Sequence, residues 1–175
     1  MRLEDIRQTL RAHGALPPHE ARVLRRWIEA RPQESAKRPM AGVLPARLRA
    51  ALPALEAELA GLARVRSEHP GADGSARLLV EIGPPEAAQT IESVLLPREG
   101  VCVSTQVGCA VGCVFCMTGR DGLLRQVGSA EIVAQVVLAR ARRPVRKVVF
   151  MGMGEPAHNL DNVMEIGRAS CRERV

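Results

Sequence analysis

The sequence has few aromatic side chains. Aromatic residues make up 2% of the chain, tyrosine is absent, and the complete set is Trp27, Phe115 and Phe150. Proteins that bind single-stranded nucleic acid without sequence preference stack successive bases on aromatic rings. The composition therefore argues against a base-stacking platform of that kind.

Long apolar runs and a leader segment are also missing. Hydrophobic residues make up 46% of the chain, but no stretch approaches the roughly 20 apolar residues of a membrane-spanning helix. The first ten residues, MRLEDIRQTL, include two acidic side chains and contain no apolar segment typical of a signal or transit peptide. We therefore expect a cytoplasmic protein that does not associate with membranes.

Positive charge is distributed unevenly along the chain. The formal net charge is +6, and residues 1–50 carry 11 basic against 5 acidic side chains. Residues 51–100 carry 4 basic against 8 acidic, and residues 101–150 carry 7 against 2. Basic blocks attract phosphates and release counterions from nucleic acids. The cluster Arg22, Arg25 and Arg26 would serve equally as a solvated helix face, so charge alone leaves nucleic-acid binding open.

Hydrophobic spacing predicts a helical part followed by a mixed part. Apolar residues recur at helical spacing in residues 3–13, around Ala21–Ile28 and over 43–62, with a break or kink at Pro53. Between the second and third of these, residues 31–40 are polar and bracketed by prolines, which predicts a loop. Residues 69–75, HPGADGS, are rich in Pro and Gly and predict a linker.

Strand signals begin after that linker. Alternating apolar residues predict a hairpin from residues 78–82 and 90–96, followed by a third strand at 101–106. A helix is predicted from Ser129, and the apolar run 148–151 then reads as a buried parallel strand. We predict an α/β fold with a small helical accessory domain at 1–67, a linker and β-hairpin at 68–100, and the first part of a partial β/α barrel at 101–164.

The five cysteines favour metal chemistry over disulfides. A reducing cytosol keeps thiols free, and Cys109, Cys113 and Cys116 fall within eight residues at the spacing CxxxCxxC. Three thiolates can ligate three irons of a [4Fe-4S] cluster and leave the fourth iron open. A zinc site normally needs four ligands, and neither Cys102 nor His158 lies at a usual spacing for a fourth. The spacing favours the cluster, with a zinc module as the alternative.

The segments around this loop resemble a known enzyme family. CVSTQVGCAVGCVFCMTG at 102–119, followed by SAEIVAQV and VVFMGMGEPAHNLDNV, is similar to the RlmN/Cfr family of radical S-adenosylmethionine (SAM) methyltransferases. The resemblance runs from about Leu3 to Met164 and is close from Ile91 onward. It implies a radical SAM core at 101–164 that methylates adenine carbon 2 of 23S ribosomal RNA, with transfer RNA as a further substrate. It also implies SAM and a [4Fe-4S] cluster as cofactors, an electron donor such as flavodoxin or ferredoxin, and a monomer.

The resemblance assigns roles to residues of the cysteine loop and of the strand end that follows it. It implies that Cys109, Cys113 and Cys116 ligate the cluster and that Phe115 lies near the SAM adenine. It also implies that a strand-end motif receives the SAM ammonium group, formed by Gly152, Gly154 and Glu155. The plainer interpretation of Glu155 is a residue that begins a helix before Pro156.

Two further roles come from the same resemblance. Cys102 would resolve a covalent intermediate between protein and RNA, although a lone strand cysteine is more often a buried apolar side chain. Glu92 would be an acid with a role in proton transfer. The amino-terminal helices would form an RNA-contacting accessory domain.

The carboxyl-terminal end of the sequence departs from the family pattern. The family mechanism needs a second cysteine that accepts a methyl group, and the sequence does not contain one at a matching position. Cys171 lies in GRASCRERV, which interrupts the preceding helical pattern at Gly167 and resembles translated sequencing-adapter DNA. We therefore predict that residues 165–175 are non-native and assign Cys171 no role.

An incomplete barrel leaves open edges and an uncovered sheet face. We expect the intact protein to be an enzyme and the chain as written to be inactive. The alternatives are a radical SAM enzyme with another substrate, or a non-catalytic module that binds zinc or RNA.

Overall fold

Helices come first in the chain and a sheet follows. The computed structural model describes residues 1–34 and 42–173, with the backbone alone for 168–173. The helices of this part are α1 (Leu3–Ala12), α2 (Pro17–Ile28), α3 (Ala46–Gly61), α4 (Ser129–Arg140) and α5 (Leu160–Glu173). The strands are β1 (Ala63–Pro70), β2 (Ala76–Ile82), β3 (Gln89–Leu96), β4 (Gly100–Cys102), β5 (Gln106–Gly108), β6 (Leu123–Gln126) and β7 (Lys147–Val149). Short 3-10 helices lie at Pro85–Ala87, Met117–Gly119 and Pro156–Asn159.

The main sheet has the strand order β1-β2-β3-β4-β7. Strands β1 to β4 pair antiparallel with their neighbours, whereas β4 and β7 are parallel, with Val101 opposite Val148 and Cys102 opposite Val149. Helix α4 lies between β4 and β7 in the chain, which confirms the predicted β/α unit. Strands β5 and β6 form a separate two-stranded sheet.

The buried apolar side chains of the helices and the main sheet form a single cluster. Leu3, Ile6 and Leu10 form the buried face of α1 and are at most 2% exposed, as their spacing predicts. The division into an accessory domain, a linker and a core stays a prediction. No helix within the described residues is long and apolar enough to cross a membrane.

The junction between α1 and α2 contains a buried carboxylate. Glu20 is 2% exposed and accepts hydrogen bonds from Arg11 Nε at 2.8 Å and Arg7 Nη1 at 3.2 Å. Burial alone would raise the pKa of Glu20, but the bonds from the two guanidinium groups outweigh it and lower the pKa. This pairing explains why an acid can occupy the core of the helical part.

Two elements of the amino-terminal half differ from the sequence prediction. Helix α3 runs through Pro53 without interruption, because burial of Leu48, Leu52, Leu55 and Leu59 offsets the lost backbone bond. Strand β1 was not predicted, and the boundary expected between residues 67 and 68 lies within it. The predicted linker at 69–75 contains the end of β1 and the turn into β2.

Further differences lie in the carboxyl-terminal half. The strand predicted at 101–106 is divided, because the chain leaves the main sheet after Cys102 and enters a second sheet at Gln106. Strand β6 was not predicted. Helix α5 continues past Gly167, where the sequence pattern indicated a break, and Glu165 Oε1 accepts a hydrogen bond from the Glu4 amide at 2.8 Å. Of the predicted loop at 31–40, residues 35–40 lie outside the described residues.

A buried amide of α4 holds the point where the chain leaves the main sheet. Gln135 is fully buried; its Oε1 accepts from the Ser104 amide at 2.8 Å, and its Nε2 donates to the Ser104 carbonyl at 2.9 Å. The Ser93 hydroxyl of β3 donates to the same Oε1 at 2.8 Å. Gln135 therefore pairs with Ser104 as a neighbouring strand would.

Replacing Gln135 by Met should destabilise the fold by about 2–4 kcal/mol, because it leaves the buried amide and carbonyl of Ser104 without partners. Urea unfolding followed by circular dichroism measures this free energy. The matched control is Gln8→Met on the exposed face of α1, for which we expect a change below about 0.5 kcal/mol. Equal stability of the two variants would contradict the role given to Gln135.

Candidate functional site

The cysteine loop is carried by the β5–β6 hairpin. Cys109 directly follows β5, and its amide donates to the Gly122 carbonyl at 3.0 Å. Gly108 has φ +72°, and a Cβ at this position would lie 2.0 Å from the Gly122 oxygen. Only glycine allows this close approach of the two strands. Residues 109–122 therefore form a loop whose two ends are joined by backbone contact.

The three cysteines of this loop differ in exposure. Cys109 is buried, whereas Cys113 and Cys116 are exposed, and the Cys116 amide donates to the Cys113 carbonyl at 3.0 Å. Hydrogen bonds from the hydroxyl and amide of Thr118 lower the pKa of the Cys116 thiol, which favours the thiolate that binds metals.

The loop fits an iron–sulfur cluster by its chemistry. It supplies three thiols within eight residues and no fourth cysteine, a donor set that suits a cubane with one open iron. Their side chains do not converge, since no group of three His, Cys, Asp or Glu side chains in the described residues is arranged to hold a metal. The fit therefore lies in the donor set and the loop closure.

Large apolar side chains project from the same loop into solvent. Phe115 is 88% exposed, and Val114 and Met117 are also exposed. Exposed apolar groups concentrated on one loop are typical of a binding surface. Phe115 is thus accessible to a ligand, as its predicted role beside an adenine requires.

The strand-end motif packs against the segment that connects β4 to β5. The Gly152 amide donates to the Val103 carbonyl at 3.1 Å, and the Met153 amide donates to Ser104 Oγ at 2.8 Å. The Met153 carbonyl accepts from the Thr105 amide at 2.9 Å. These bonds continue the parallel pairing of β4 and β7 beyond the two strands and fix the motif at their carboxyl ends, where ligands bind in β/α barrels.

Both glycines of the motif are required by close contacts. A Cβ on Gly152 would lie 2.8 Å from the Val103 oxygen, and Gly154 has φ +97° with its Cβ position 2.5 Å from Gln106 Cβ. Glu155 Oε1 accepts from the Ala157 amide at 3.0 Å and so begins a 3-10 helix. The plainer interpretation of Glu155 therefore describes its contact in this structure, and its role toward SAM stays a prediction.

Cys102 and Glu92 share one face of the main sheet. Cys102 lies opposite Val94, and Glu92 is two residues from Val94 on β3, so their side chains project to the same side. Burial raises the pKa of the Cys102 thiol, while a hydrogen bond from the Met151 amide acts in the opposite direction. Glu92 is partly exposed and pairs with Arg77 Nη1 at 3.4 Å.

The polar residues that assemble this site were missed by the sequence analysis. Gln106 is fully buried and Asn159 is 4% exposed. Asn159 Nδ2 donates to the Thr105 carbonyl at 2.7 Å and the Val127 carbonyl at 2.8 Å. The available signal was the polar run Ser104, Thr105 and Gln106 within a strand predicted to be buried.

Comparison with known proteins identifies the family. Residues 103–174 match the family model described as the radical SAM superfamily. This region contains the cysteine loop, the motif at 152–155 and the β/α unit. The chain belongs to the radical SAM superfamily, whose members use a [4Fe-4S] cluster and SAM, as predicted.

Similar proteins narrow this class. The chain is 68% identical over 165 residues to a probable RNA methyltransferase of Azoarcus sp., covering 94% of this chain and 47% of that protein. It is 70% identical over 165 residues to a probable RNA methyltransferase of Leptothrix cholodnii, with the same coverage of 94% and 47%. The crystal structure of a radical SAM methyltransferase from Sphaerobacter thermophilus matches with a TM-score of 0.67 and 34% identity, covering 97% of this chain and 50% of that one.

These matches bear on the predicted fold and extent. The chain spans about half the length of the curated relatives it matches, which agrees with the predicted partial barrel. The predicted α/β class is confirmed by the strand and helix arrangement and by the structural match.

The different surroundings of the cysteines predict an order of alkylation. We expect iodoacetamide to label Cys113 and Cys116 roughly tenfold faster than Cys102, because thiolate fraction and access control the rate. The raised pKa of Cys102 also predicts that its labelling keeps increasing at alkaline pH after that of Cys113 and Cys116 has levelled off. Peptide mass spectrometry of the metal-free chain resolves the sites, with the urea-unfolded chain as control. Equal labelling rates in the folded chain would show that Cys102 is not protected.

Proposed function

We propose that this chain is part of a radical SAM methyltransferase that modifies RNA. The observation that carries the proposal is the placement of the cysteine loop and the motif at 152–155 against the same connecting segment, residues 103–106. A cluster ligated by the loop and SAM bound at the motif would then be neighbours. The printed names of the relatives, probable RNA methyltransferases, support the reaction class.

The proposed roles follow from the chemistry of the side chains. Cys109, Cys113 and Cys116 would ligate the cluster, and the close-packed backbone at Gly152 and Gly154, with Glu155, would receive the SAM ammonium group. A [4Fe-4S] cluster with SAM at its open iron supplies one-electron cleavage of the sulfonium bond. Phe115 would cover the adenine of SAM.

Cys102 and Glu92 would act on the RNA side of the reaction. Because burial raises its pKa, the Cys102 thiol is protonated at neutral pH and must lose a proton before it can attack a covalent intermediate. Glu92, on the same face of the sheet, is the proposed proton acceptor.

An Arg-rich groove on α2 is the proposed RNA-contacting surface of the helical part. The groove has a volume of about 720 Å³, and its charged lining includes Arg22, Arg25, Arg26 and Arg31. Arg25 is exposed, and the Arg31 side chain is 65% exposed and paired with Glu29 at 3.3 Å. Guanidinium groups suit bidentate contacts with phosphate, so this surface complements an RNA backbone.

The finer assignment rests on the resemblance. We propose adenine carbon 2 of 23S ribosomal RNA as the target, transfer RNA as a further substrate, flavodoxin or ferredoxin as the electron donor, and a monomer in the cytoplasm. The relatives' names support RNA and do not specify the nucleotide.

Anaerobic reconstitution with iron and sulfide tests the cofactor assignment. We expect the reduced chain to give the electron paramagnetic resonance signal of a [4Fe-4S] cluster, and this signal to shift when SAM is added, because SAM binds the open iron. Cys113→Ala should lose the signal. Circular dichroism of the metal-free proteins is the folding control. A folded chain that binds stoichiometric zinc and no cluster would instead support the zinc-module alternative.

RNA affinity tests the groove on α2. Reversing charge at Arg25 and Arg31, both to Glu, should weaken binding to a 23S ribosomal RNA transcript about tenfold at 100 mM salt and make the salt dependence less steep by about one unit per lost phosphate contact. Filter binding at several salt concentrations, repeated with transfer RNA, gives both quantities.

The matched control is Arg146→Glu. Arg146 lies just before β7, at the amino end of that strand, and its side chain is 83% exposed. If this control weakens RNA binding as much as the changes on α2, only net charge matters and the groove has no specific role.

A further inference from the structure

A buried glutamine contacts the turn of the strand-end motif. Gln106 begins β5 and is fully buried, and its Oε1 accepts from the Glu155 amide at 2.7 Å. Its Nε2 donates to Gln126 Oε1 at 3.1 Å. Because a backbone amide can only donate, the contact with Glu155 fixes which end of the Gln106 side chain faces the turn. The donor end must then face Gln126.

A second glutamine continues this chain of hydrogen bonds. Gln126 ends β6, the strand that follows the cysteine loop, and its Nε2 donates to the His158 carbonyl at 2.8 Å. The two side chains therefore link β6 to both the Glu155 amide and the His158 carbonyl. Each donor in this chain meets an acceptor, so the arrangement is chemically consistent along its whole length.

The neighbouring residue holds β6 to the rest of the fold. Arg125 Nη1 and Nη2 donate to the two Glu131 oxygens at 2.9 and 3.1 Å, and Arg125 Nε donates to Gln89 Oε1 at 2.8 Å. Arg125 thus fixes β6 against α4 and β3, while Gln126 contacts the strand-end turn. Gly154 packs directly on Gln106, so a shift of either segment displaces the other.

We infer that Gln106 and Gln126 are positioning residues that couple the cysteine loop to the turn at Gly154–Glu155, so that a cluster in the loop and SAM at the turn each strengthen binding of the other. The inference rests on the proposed function, since it takes these two segments as the cluster and SAM sites. Such coupling is reciprocal, because both ligands stabilise the same arrangement of loop and turn. Neither glutamine contacts the reacting atoms in this account.

The deciding variant is Gln126→Met in the 175-residue chain, because Gln126 is only partly buried and the change should leave the fold intact. Gln126→Glu is the conservative variant, since its carboxylate can still accept from Gln106 but cannot donate to His158. Gln8→Met, exposed on α1, is the matched control. Iron content and thermal melting are recorded for each protein.

Two readouts separate coupling from simple stability. In the metal-free chain, hydrogen exchange of residues 152–159 should be about tenfold faster in Gln126→Met than in the wild type and unchanged in Gln8→Met. In the reconstituted chain, the SAM concentration that half-shifts the resonance signal should rise about tenfold in Gln126→Met at equal iron content, with Gln126→Glu between the two.

The possible failures are distinguishable. A wild-type chain whose signal does not respond to SAM would overturn the proposed function and this inference with it. A responsive wild type with the same SAM titration in Gln126→Met would overturn the inference alone. Loss of iron from Gln126→Met with unchanged hydrogen exchange of residues 152–159 would also overturn it, because the effect would then lie in the loop and not in the connection to the turn.

Discussion

The pairing of Gln135 with Ser104 is the interaction on which the rest of the site depends. At Ser104 the chain leaves the main sheet, and its backbone groups would lack partners at a position that excludes water. The amide of α4 satisfies both groups and also binds Ser93 of β3. Helix α4, β3 and the connecting segment 103–106 are thereby fixed relative to one another, and every functional segment is built on that connection.

Two consequences follow from this crossing of the chain. After it, β5 can pair with β6 outside the main sheet, which presents the cysteine loop between them. Beside it, the extended pairing of β4 and β7 brings residues 152–155 to the same place through bonds to Val103 and Ser104. Segments about forty residues apart in the sequence therefore meet because both contact residues 103–106. Glycine is needed wherever these backbones approach closely, as at Gly108 and Gly152.

Prediction from sequence succeeded where a pattern has one physical cause. The spacing of Leu3, Ile6 and Leu10 requires a helical face, and the apolar run before Gly152 indicated a buried strand. It failed for β1 and β6, whose side chains are largely polar or exposed and which are held mainly by backbone pairing with a neighbour. It also failed at Pro53, because local propensity does not include the burial that the surrounding leucines gain in the folded chain.

The sequence by itself determined the donor set, the loop that carries it and the glycine motif, because these depend on residue type and short spacing. Tertiary structure alone decided that Gln106, Gln126 and Gln135 join those segments, since a glutamine carries no signal of its distant partner. It also decided the surroundings of Cys102, whose raised pKa results from burial on a sheet face that packing creates. Local chemistry is thus encoded by neighbouring residues, whereas the relative placement of the segments depends on long-range hydrogen bonds.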